Sequence, residues 1–151
     1  MKFLQVSCEM ARQSDFLQQR RNTFTSIRSL KPGDEYYEHK DFLMKSALDW
    51  IRFHSILVDL WTLALQNDIP SSRPKIYKLR EIITALQENN ELAVEYGIYS
   101  ENHYLRMCEK IKGEYECWND LLEFGEDNGM LWFPKNVIIT FSVFRQFQKK
   151  N

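Results

Sequence analysis

The stretch DFLMKSALDWIRFHSILVDLWTLALQN, running from Asp41 to Asn67, decides the fold class. Phe42, Leu43, Leu48, Trp50, Ile51, Phe53, Ile56, Leu57, Leu60, Trp61 and Leu65 surround most of a helical circumference, which predicts a long apolar helix at the centre of a bundle. Asp41 is placed to cap it. The polar residues Lys45, Asp49, Arg52, Asp59, Thr62 and Gln66 fall on one narrow stripe, expected at the surface or in a polar groove. His54 sits on the apolar side, where a core histidine holding one hydrogen bond is expected rather than a catalytic one.

Outward from this helix, the chain reads as further helices. Phe3, Met10, Leu17 and Phe24 recur every seven residues, with Val6 and Ile27 alongside and Gln13 and Arg20 interrupting the row. That pattern predicts an amphipathic helix over 3–27, packed on its own domain, with a homodimer through the same helix as the other use of its face. Lys31-Pro32-Gly33-Asp34 supplies a turn. After a linker at 68–74, Ile76, Leu79, Ile83, Leu86 and Ala93 mark a third helix, weakened at Asn89-Asn90 and stopped near Gly97. Ser100 caps a fourth, carried by Tyr104, Cys108, Ile111, Tyr115, Trp118 and Leu122. The last stretch, Met130 to Asn151, admits two readings, a helix starting after Asn136 or a short C-terminal β-hairpin turning through Pro134-Lys135-Asn136.

Bulk composition agrees with one all-α domain spanning 1–151, a bundle of four or five helices. The chain has 151 residues, 44% hydrophobic and 14% aromatic, with only 5 Gly and 4 Pro to break helices. No apolar run is long enough to span a bilayer, and the N-terminus is too short in apolar residues for a signal-peptide core, so a cytoplasmic, intracellular protein is expected. Cys8, Cys108 and Cys117 form no metal-type pair and are expected reduced and buried. No cofactor motif is present.

Three function classes follow from the remaining residues. Tyr36, Tyr37, Tyr96, Tyr99 and Trp132 fall in connectors or at helix ends, where large rings make interface anchors. With no nucleophile elbow, phosphate loop or metal-ligand spacing, they favour a non-enzymatic module that binds another protein, as an inhibitor, adaptor or immunity-type factor. The enzyme alternative uses two carboxylate rows, Glu88, Glu91 and Glu95 on the third helix and Glu116, Asp120 and Glu123 on the fourth. Facing each other, they would hold Mg²⁺ for a nucleotide or phosphate hydrolase. Pointing opposite their apolar stripes, they are expected to be solvated.

Charge gives the third class. The total is −1, but residues 34–68 carry seven acids against three bases and 81–134 carry twelve against three. Arg12, Arg20, Arg21 and Arg28, with Arg73, Lys75, Lys78 and Arg80 and the C-terminal tail, form basic segments. Converging, they would contact the phosphates of a nucleic acid, against repulsion from the intervening acids.

Overall fold

The computed structural model describes residues 2–66, 68 and 71–127, with side chains described for 7–66, 68, 71–116, 118 and 119. The described residues are all-α, with no strand: α1 (Lys2–Arg28), a single 3-10 turn (Tyr37–His39), α2 (Lys40–Leu65), α3 (Ser72–Glu95) and α4 (Glu101–Asp127). The C-terminal stretch from 130 to 151, read as helix or hairpin, lies outside them.

Local chemistry accounts for most of the boundaries. At Lys31-Pro32-Gly33-Asp34, the Asp34 N–H donates to the Lys31 carbonyl at 3.0 Å, and the Lys31 N–H donates to the Asp34 carboxylate at 2.7 Å. Proline sits at the second position and Gly33, at φ +98°, at the third, the arrangement of a type II turn. α3 ends in a Schellman motif: Gly97 has φ +74°, its N–H reaches the Val94 carbonyl, and the Ile98 N–H reaches the Ala93 carbonyl at 2.8 Å. Ser100 Oγ accepts the His103 N–H at 3.2 Å and so caps α4. Asp41 does not cap α2. The 3-10 turn runs straight into the helix, His39 occupies the cap position without a side-chain bond, and Asp41 falls in the first turn, where its charge meets the helix dipole. The helix ends at Leu65, short of Asn67.

The core is continuous across three helices. Trp50, Phe53, Leu57, Leu60 and Trp61 of α2 meet Ile76, Leu79, Ile83 and Leu86 of α3 and Ile111 and Trp118 of α4. Trp61 and Trp118 pack edge to face, with centroids 5.0 Å apart. Each such side chain contributes roughly 1.5–3 kcal/mol by leaving water. α1 packs along α2 but buries only Leu17 among its described apolar side chains, with Met10 half-buried against the core.

Polar residues tie these helices together at two places, through side chains whose burial periodicity does not show. Gln13, an interruption of the α1 row, is fully buried. Its amide N–H donates to Glu114 Oε1 of α4 at 3.1 Å, and its carbonyl lies 3.0 Å from His54 Nδ1 of α2. Asp49, expected on an exposed stripe, is buried instead. Its two oxygens accept from Asn89 of α3 at 2.8 Å and from Arg52 at 3.1 Å. Asn89 and Asn90 do not weaken α3, which passes through them unbroken with both side chains buried. Asn89 is there because Asp49 needs a donor.

Removing a shared partner should therefore cost more than removing an apolar contact of similar size. Gln13→Leu strands the His54 N–H and leaves Glu114 Oε1 with Arg12 alone, and is expected to lower unfolding free energy by about 2–4 kcal/mol. Asn89→Leu, which leaves the Asp49 carboxylate with Arg52 alone, should cost about 2 kcal/mol. Urea denaturation with an unchanged slope checks both; a loss under about 0.5 kcal/mol, read from the shift in midpoint at a common slope, would refute the polar ties.

Candidate functional site

Three of the five expected anchor residues come to one end of the molecule. Tyr36 and Tyr37 arrive from the connector between α1 and α2, and Tyr96 from the end of α3. His39, two residues on from Tyr37, stacks on Tyr96 with centroids 4.7 Å apart and planes at 18°. Phe42, in the first turn of α2, meets the same ring edge-on at 5.2 Å. Tyr96 is thus held on two sides, yet it remains 42% exposed, beside Tyr36 at 43% and Tyr37 at 37%. Tyr36 adopts the left-handed conformation, φ 66°, with a side chain that makes this costly. The Lys40 ammonium donates to the Leu30 carbonyl at 2.9 Å and lies over the Tyr37 ring, closing the connector onto the end of α1.

Electrostatically this end is acidic. Asp34, Glu35, Glu38 and Asp41 are exposed around the tyrosines, as is Glu95 next to Tyr96. The sequence places Phe42 in the apolar set of the central helix and does not show that it and His39 bracket Tyr96. The signal available was an aromatic residue at the start of an apolar helix directly after a tyrosine-rich connector.

Tyr99 does not join this surface. It turns inward against Arg20 and Trp50, where burial raises the pKa of its hydroxyl and Arg20 lowers it, and its ring meets His103 edge-on at 4.5 Å. The Schellman turn at Gly97-Ile98 explains the difference, because it redirects the chain between Tyr96 and Tyr99. Trp132 lies outside the described residues.

Glu88, Glu91 and Glu95 are all exposed on α3, and Glu116 is exposed on α4 and pairs with Lys112 at 3.8 Å. The side chains of Asp120 and Glu123 lie outside the described residues, among which no three His, Cys, Asp or Glu side chains form a group that could hold a metal ion. Of the basic residues, Arg12 binds Glu9 and Glu114, Lys75 binds Asp59 and Lys78 binds Glu81. Arg80 donates to Asn119 and Arg20 lies on Trp50, while Arg21 and Arg28 are exposed and Arg73 is half-buried. Most of the set is thus engaged by neighbours. The cysteines also depart from expectation: Cys8 is exposed on the outer side of α1, and Cys108 is half-buried beside an open cavity of about 380 Å³ between α3 and α4. That cavity is lined by Arg80, Thr84, Gln87, Lys112 and Tyr115. The side chain of Cys117 lies outside the described residues.

Comparison of the chain with protein-family models, curated proteins and solved structures finds no match in any of the three. Among the described residues no helix is long and apolar enough to cross a membrane.

His54 is fully buried, and its Nδ1–H faces the Gln13 carbonyl because the amide N–H of Gln13 is turned to Glu114. Burial, then the nearby Lys110, Arg20 and Arg12, push its pKa down to about 3. The ring is therefore neutral at pH 7, with Nε2 as a buried acceptor. Since the unfolded ring titrates near 6.5, its contribution to stability is complete above about pH 6.5 and is lost as pH falls toward 3, by up to ~1.4 kcal/mol per pH unit. Urea titrations from pH 7 to 4 should show this slope in the wild type and a shallower one, by about one proton, in His54→Gln; equal slopes would place the titration elsewhere.

Proposed function

We infer that the chain is a non-enzymatic protein-binding module of the inhibitor or adaptor kind, one helical bundle arranged around α2 and acting inside the cell. The observation that carries this reading is the convergence of Tyr36, Tyr37 and Tyr96, with His39 and Phe42 bracing the last of them, on one acidic end. Rings anchored in this way present large contact area at low entropic cost, since packing has already fixed much of their freedom. The exposed carboxylates around them select a partner with a basic surface, arginine above all, which would stack on tyrosine while pairing with acid. Nothing comparable supports hydrolysis: of the carboxylates it would need, those whose side chains are described, Glu88, Glu91, Glu95 and Glu116, are exposed.

The reading is tested by tagging the protein in its own cell and recovering bound material with and without nuclease, for the wild type and for Tyr36→Ala with Tyr96→Ala. A nuclease-resistant protein is expected with the wild type and is lost from the double variant, with affinity down by ~30-fold or more at a hot-spot cost of about 2 kcal/mol. Because both rings are part-exposed, the melting temperature should change by only a few degrees. A partner retained in full by the double variant, or recovery of nucleic acid alone, would overturn the assignment.

A further inference from the structure

The open cavity between α3 and α4 is a groove whose floor and rim differ in kind. Ile83 of α3 and Ile111 of α4, 6% and 1% exposed, give it an apolar floor. Arg80, Thr84 and Gln87 follow at steps of four and three along α3, and Cys108, Ile111 and Tyr115 at steps of three and four along α4, so each helix lends one face to it. Seven residues of helix rise by about 10 Å, which sets the length of the groove. At one end Arg80 and Tyr115 meet, because both donate to the side-chain carbonyl of Asn119, Tyr115 at 3.4 Å. Cys108, two helical turns from Tyr115, lies toward the other end.

Arg80 is the charge that this groove leaves unanswered. Its guanidinium lies 5.1 Å from the centroid of Tyr77 and donates through Nη2 to Asn119, a neutral amide. Its Nε–H is buried without an acceptor, and among the described residues it forms no ion pair; its sequence neighbour Glu81 is taken by Lys78. Tyr77 and Asn119 therefore hold the guanidinium in place without neutralising it. Lys112, the second cation of the lining, pairs with Glu116 at 3.8 Å, and both of those side chains are largely in water. That pair cancels itself, so the groove presents the single positive charge of Arg80 beside apolar surface.

A ligand that matches this lining has one negative charge at one end and an apolar body. A carboxylate is a planar monoanion suited to a guanidinium, and the Tyr115 hydroxyl beside Arg80 is a second donor for the same head group. A doubly charged phosphate would bring a second charge toward Glu116 with no free cation to meet it. Over Ile83 and Ile111, each methylene that leaves water strengthens binding by up to about fourfold. The volume, about 380 Å³, suits a small molecule. We propose that the groove between α3 and α4 binds a small amphipathic monocarboxylate of the medium-chain fatty acid class, its carboxylate on Arg80 and Tyr115 and its chain over Ile83 and Ile111. None of the lining residues belongs to the acidic tyrosine end, so this site stands independently of the protein partner.

The test is calorimetric titration of the full chain with octanoate, with acetate, which has the charge without the body, with octanol, which has the body without the charge, and with octyl phosphate. Saturable one-site binding of octanoate is expected, about tenfold or more tighter than acetate or octanol and tighter than octyl phosphate. Arg80→Gln, and Thr84→Trp, which sets a large ring in the groove from an exposed position, should each weaken it about tenfold or more, and Arg21→Gln on α1 should leave it unchanged. Arg80 also holds Asn119, so Thr84→Trp is the decisive variant if Arg80→Gln does not fold. Saturating octanoate should also slow the alkylation of Cys108 by iodoacetamide, read by mass spectrometry, and leave that of exposed Cys8 as it was. Absence of saturation with octanoate, binding unaltered by Thr84→Trp, no selective protection of Cys108, or tighter binding of octyl phosphate would overturn the proposal.

Discussion

The fold depends on a single side chain, the buried amide of Gln13. It contacts a polar atom of both α2 and α4, through His54 and Glu114. An amide has a donor end and an acceptor end, so its orientation fixes that of its neighbours: with the N–H end on a carboxylate, the carbonyl requires a donor, and His54 must present Nδ1–H. The apolar core between α2, α3 and α4 supplies most of the stabilisation, but apolar contacts tolerate small slides along the helix axes. A three-way polar contact does not, because any slide strands a buried polar atom. Asp49 and Asn89 do for α2 and α3 what Gln13 does for α1, α2 and α4.

This division also accounts for what was legible in the sequence. Residues whose role is set by near neighbours were readable: the apolar positions of α3 and most of those of α2, exposed Leu48 excepted, the turn at Pro32-Gly33, the stop at Gly97 and the cap at Ser100. Residues whose role is set by a distant partner were not. Gln13 and Glu114 are 101 positions apart, and Asp49 and Asn89 are 40 apart. Along a helical wheel a buried glutamine looks the same as a surface one, and so Gln13 and Arg20 resemble defects in a heptad although they complete the packing of α1. The candidate site divides in the same way. The tyrosine-rich connector was visible, but its convergence with Tyr96, and the departure of Tyr99 from it, follow from a turn geometry that places two nearby residues on different surfaces.

The molecule consequently shows two unlike surfaces. One is an acidic end with exposed rings, where solvated carboxylates surround aromatic area. The other is the face where Arg12 and Lys110 lie over Phe16 and Arg20 lies over Trp50 of α2, so that rings screen the cations from water on one side. The connector from Gly97 to Tyr99 joins them, since it begins at the ring braced by His39 and ends at the tyrosine that faces Arg20.

The backbone at Tyr36 sets two demands on one residue against each other. Holding a residue with a β-carbon at φ 66° costs about 1–2 kcal/mol, a cost that glycine would avoid at that position. Glycine would also delete the ring. A chain optimised for thermal endurance alone would give up the tyrosine there, whereas one that must keep a phenol on its acidic end retains the strained conformer and draws on the rest of the core to hold it.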